Sequence, residues 1–95
     1  MNMRVGVLRI HFMILDSRSL KEKRMVMRSV KDRLVSRFNV SVAEVGENDK
    51  WQSAELGIAT VGNDGRFVSS VIDKVKQFLY LDPRISVIES DAEIL

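Results

Sequence analysis

Lys21, Arg24, Arg28 and Lys31 recur at intervals of three, four and three residues. On an α-helix that spacing places all four within an arc of about 80°. A line of fixed cations has one obvious chemistry, the binding of an anion, and nucleic-acid phosphate is the commonest such partner. Arg18 and Lys23 extend the set at its N-terminal end, and Arg33 and Arg37 lie on its other flank. The ordinary reading of such a row is a solvated helix face. Two features count against it. Lys21, Lys23 and Arg24 crowd the first turns, where the helix dipole favours acids. Arg24–Arg28 and Arg33–Arg37 are like-charge i,i+4 pairs, each costing a few tenths of a kcal/mol. Within the segment only Glu22 and Asp32 oppose them, although Glu44, Glu55, Glu89, Asp91 and Glu93 elsewhere could pair with the row.

Other chemistries find little support. With no cysteine, thiolate metal sites, disulfides and thiol nucleophiles are excluded. His11 is the one histidine, so neither a histidine metal site nor histidine acid–base catalysis is expected. Gly6, Gly46, Gly57, Gly62 and Gly65 form neither a phosphate-loop nor a dinucleotide pattern, so no cofactor is predicted. The segment Leu15-Asp16-Ser17-Arg18-Ser19 holds an arginine but no glycine cradle, which disfavours an acylphosphatase-like hydrolase. Glu89, Asp91 and Glu93 alternate as they would on a solvent-facing strand, with Arg9 as their cross-strand partner rather than a metal. No catalytic and no metal-binding residues are assigned.

These side chains need elements to position them. Leu8, Ile10 and Phe12 alternate with Val7, Arg9 and His11, the period of a strand. Ser19 with Glu22 forms a capping box, so a helix starts at Leu20, with Leu20, Met27, Val30, Leu34 and Phe38 as its apolar face. Val40 to Val45 and Trp51 to Val61 read as two strands around a loop, with Asp49 in its turn and Trp51 packed over the hairpin end. Gly62-Asn63-Asp64-Gly65 supplies a turn and a cap for a second helix, whose apolar residues run from Phe67 to Leu79 and which Pro83 ends. Ile85 to Glu89 begins a last strand that continues toward Leu95. The order β-α-β-β-α-β predicts a ferredoxin-like α+β fold, a four-stranded antiparallel sheet with two helices on one face.

At 95 residues, 45% hydrophobic and 29% charged, the chain is expected to form one globular domain, residues 1–95. No apolar run approaches the ~20 residues of a membrane span. Arg4 and Arg9 interrupt the first apolar segment, so no signal peptide is expected and the protein is predicted to be cytoplasmic. The net charge of +2 conceals a division: residues 1–40 carry ten Lys/Arg against three Asp/Glu, net +7, while residues 41–95 carry five against ten, net −5. If Leu8, Ile10 and Phe12 face the helices, Val5, Val7, Arg9, His11 and Met13 face away, together with Trp51, Gly57 and Ala59. That face lacks the aromatics of an RNA-recognition sheet. Small Gly57 and Ala59 beside Val5 and Val7 suit a homodimer interface instead, to which Trp51 is also assigned.

The segments Ser19-Leu20-Lys21-Glu22-Lys23-Arg24 and Arg37-Phe38-Asn39-Val40-Ser41-Val42-Ala43-Glu44-Val45 resemble the YlxP-like family of small bacterial proteins. Asp49, Trp51, Gln52, Ala54, Leu56 and Gly57 extend the resemblance, which spans essentially the whole chain. It implies a ferredoxin-like fold and no catalytic residues. The family's genes often lie among those for translation initiation and ribosome maturation, implying a ribosomal or RNA role. Residues and resemblance together lead to a non-enzymatic protein that contacts RNA or a ribosomal subunit through Arg18, Lys21, Lys23, Arg24, Arg28 and Lys31. The alternative is a homodimeric structural or regulatory protein that binds no nucleic acid.

Overall fold

The computed structural model describes residues 2–95. Its elements follow in the order β1 (Arg4–Ile14), α1 (Leu20–Arg37), β2 (Ser41–Gly46), β3 (Ser53–Gly62), α2 (Gly65–Tyr80) and β4 (Ile85–Ile94). The sheet order is β2-β3-β1-β4 with every neighbouring pair antiparallel. This is a ferredoxin-like α+β fold. No helix among the described residues is long and apolar enough to cross a membrane.

The period-two strands place Leu8, Ile10, Phe12 and Ile14 of β1 with Leu56 and Ile58 of β3 on one sheet face. Met27, Val30 and Leu34 of α1 and Ile72, Val75 and Leu79 of α2 pack onto that face in one core. Each such side chain contributes roughly 1.5–3 kcal/mol by leaving water. Gly6 lets α2 approach β1 closely, since a Cβ there would lie 2.5 Å from Val68 Cγ1.

Both helices begin as their caps dictate. Ser19 accepts from the Glu22 N–H at 3.1 Å, and the Glu22 carboxylate accepts from the Arg18 N–H at 2.6 Å. Asp64 accepts from the Arg66 N–H at 3.0 Å. Three expectations need adjustment. Trp51 and Gln52 lie before β3, which begins at Ser53, because the preceding loop is fastened in a turn. Phe67 is exposed, since the buried stripe of α2 is Val68, Ile72, Val75 and Leu79. Leu20 is half-buried, and the inward position of the first turn of α1 belongs to Lys23. Bulges interrupt the ladder at His11/Phe12 against β4 and at Glu44/Gly46 of β2.

Candidate nucleic-acid interface

The outward side of α1 presents Lys21, Arg24 and Arg28 to solvent, with Lys31 half-buried at the end of the row. Lys21, Arg24 and Arg28 line a shallow recess with Met25, Ser29 and Asp32. Among the described residues, the ion pairs engage Arg9, Lys23, Lys50 and Arg84 as cations; none engages Arg18, Lys21, Arg24, Arg28 or Lys31. Arg33 and Arg37, on the other flank, lie over the Phe78 ring at 5.2 and 5.3 Å from its centroid, while Phe38 meets that ring edge-on. Those two guanidiniums are therefore held by α2. Arg18 is exposed at the start of the helix.

Lys23 departs from its expected role as a phosphate contact. It is 2% exposed and donates from Nζ to the carbonyls of Glu47 and Lys50, both at 2.6 Å, with Glu44 Oε1 at 3.2 Å. A buried ammonium is tolerable only when its donors are all engaged, and Lys23 is fully occupied in tying α1 to β2 and the β2–β3 loop. The signal was present in the spacing: Lys23 precedes Met27, Val30 and Leu34 by four, seven and eleven residues, the line of the buried stripe.

Part of the backbone between β1 and α1 is engaged internally. The N–H groups of Leu15, Arg18 and Glu22 already donate to Arg84 O, Glu22 Oε2 and Ser19 Oγ. Arg84 is chelated by Asp82, whose carboxylate accepts at 2.8–3.0 Å from the guanidinium, and its Nη1 donates to Ser29 Oγ at 2.9 Å. Beside Arg84 the Asp82 carboxyl is held below its usual range.

The open sheet face divides into two parts. Val7, Gly57 and Ala59 line an apolar groove of about 660 Å³ with Ser41, Ala43 and Val45 of β2. Val5 adjoins it through Ala59. Val45 lies against Gly57, where a Cβ would come within 2.9 Å of its Cγ1. Trp51 does not join this groove; it sits beside Met13 at the other end of the face. Between the two ends Arg9 bonds Glu55 at 2.9 Å and Asp91 at 2.7 Å, with Glu89 at 3.8 Å, so the acidic row of β4 has the expected arginine partner. Those bonds, Glu55 first, hold the Arg9 guanidinium above its usual pKa. His11 pairs in register with Glu55 and Glu89, and its Nε2 is buried without a hydrogen-bond partner.

Fold and surface define a small ferredoxin-like α+β protein with a cationic helix outside and an apolar groove on its open sheet. Residues 5–92 match the family described as Protein of unknown function (DUF503), and the chain belongs to that family. It is 35% identical over 81 residues, 85% of this chain and 88% of the relative, to the uncharacterized protein YlxP of Bacillus subtilis (strain 168). The de novo designed protein Foldit4 is similar in fold alone, with a TM-score of 0.52 and 15% identity over 98% of this chain and 96% of that one.

Proposed function

We propose that this protein is a non-enzymatic RNA-binding protein of the cytoplasm that contacts ribosomal RNA or a ribosomal subunit through α1. The observation that carries the reading is the row Lys21, Arg24 and Arg28, exposed together on one face of α1 and outside every ion pair among the described residues, whereas Arg9, Lys23, Lys50 and Arg84 are paired. Cations left in this state cost stability to no structural end, whereas phosphates would neutralise them with release of counterions. Contacts of this kind position a backbone and read little sequence. The open sheet face suits RNA poorly, since its charges are Arg9 against Glu55, Glu89, Asp91 and Glu93. Electrophoretic or anisotropy titration with ribosomal RNA fragments tests the reading. Micromolar binding that disappears in the double variant R24E/R28E supports it, and equal binding by that variant refutes it.

The groove around Gly57 and Ala59 favours a second reading, self-association through the open sheet. Three strands of about ten residues and one of six, ~4.8 Å apart and rising ~3.3 Å per residue, offer roughly 600 Å² per face. Stable interfaces use about 800 Å² per partner, so any such dimer would be weak. Sedimentation up to about 100 µM detects it as a concentration-dependent rise in mass, and a constant monomer mass refutes it. The two surfaces lie on opposite sides of the molecule and can operate together.

A further inference from the structure

Trp51, the chain's one tryptophan, is 45% exposed on the loop between β2 and β3. An aromatic body in water is costly, and so is a buried lysine; both costs fall on this loop. The backbone on each side of the ring is fastened. Lys23 Nζ holds the carbonyls of Glu47 and Lys50, Lys50 Nζ pairs with Glu47 at 2.9 Å, and Ser53 Oγ donates to the same carboxylate at 3.1 Å. After the ring, the Gln52 carbonyl accepts from the Ile14 N–H at 2.8 Å, and the Gln52 amide reaches the Ser17 carbonyl at 3.5 Å. A recess beside the indole is lined by Met13, Asp49, Gln52 and Ser53, which give one apolar wall and a carboxylate, an amide and a hydroxyl at the rim. The anchor of the loop, Lys23, belongs to the same turns of α1 that carry Lys21 and Arg24 outward. The loop that carries the ring is thus tied to the first turns of α1.

We propose that Trp51 is a preformed stacking platform for an unpaired base of the RNA whose phosphates meet the α1 cations. This rests on the RNA-binding reading and names its ligand class: single-stranded or looped RNA, not plain duplex. Stacking on an aromatic tolerates any base, and the Asp49 carboxylate beside the recess can accept a hydrogen bond from a base edge. A loop backbone already fastened around the ring lowers the ordering cost on binding.

The test titrates the wild-type chain with a 12-nucleotide single-stranded RNA and a blunt 12-base-pair RNA duplex, reading anisotropy and Trp51 emission together. The single strand is expected to quench Trp51 saturably, with the dissociation constant that anisotropy gives. W51A should weaken single-strand binding about tenfold or more, W51F should retain most of it, and duplex affinity should be unchanged in both. Single-strand binding that R24E/R28E abolishes, with neither quenching nor a W51A effect, overturns the platform and leaves the RNA reading standing. Equal losses for both RNAs in W51A also overturn it, because they mark a structural role. No binding of either RNA overturns both. The quenching titration needs no variant to fold.

Discussion

A lysine ammonium loses most of its hydration when buried, so its place in a core depends on the acceptors it finds there. Lys23 finds Glu47 O, Lys50 O and Glu44 Oε1. Replacing it with methionine keeps the stem's volume but strands two carbonyls and a carboxylate. Breaking such an arrangement from one side costs about 3 kcal/mol, which for a domain of this size lowers the melting temperature by roughly 10–20 °C. Thermal or urea denaturation of K23M checks this, and RNA binding measured where the variant is folded should keep its salt dependence. Residue type alone put Lys23 among the phosphate ligands. Its inward direction became legible only by extending the apolar stripe one turn back. Asp82 and Glu47 give a second prediction at this scale. Both carboxyls sit below their usual pKa, through Arg84 and Lys50 respectively. A group depressed by folding adds stability that is present above its unfolded pKa and lost as the pH falls through the folded one. Stability should therefore hold near neutral pH and fall below about pH 4, with D82N reducing that fall in acid urea titrations.

At the scale of elements, the order β-α-β-β-α-β was legible because each element declares its period and its caps: Leu8, Ile10 and Phe12 for β1, Ser19 and Glu22 for α1, Asp64 for α2. The bulges at His11/Phe12 and Glu44/Gly46 were not, since a bulge belongs to a pair of strands rather than to either sequence. Trp51 was misplaced into β3 for a related reason: its β propensity is real, but the bonds of Lys23 and Gln52 to distant residues decide its conformation. The exposed face of α1 contributes nothing to the core, so R24E/R28E should leave helicity and cooperative melting intact while RNA binding is lost. Circular dichroism on the samples used for titration separates that outcome from unfolding.

For the whole molecule, the charge divides by layer as strongly as it divides along the sequence. The two helices carry ten Lys/Arg against three Asp/Glu, net +7, and the strands and loops carry five against ten, net −5. Arg4, Arg9 and Arg18, basic in the first half of the chain, lie outside the helices, whereas Arg66, Lys74 and Lys76 of α2 join the cationic layer. The nearly neutral chain thus folds with a net positive helix layer, which orients it toward a polyanion through long-range attraction. Folding supplies this arrangement, because it gathers α1 and α2 from separate stretches of sequence. The most direct test is the salt dependence of RNA affinity, compared between the wild type and R24Q/R28Q. Three phosphate contacts predict a wild-type slope of log K against log salt of about −2 to −3, and each arginine removed should reduce its magnitude by about 0.7–0.9. The account predicts a loss of roughly 1.5 in slope for the double variant; an unchanged slope and affinity would contradict it.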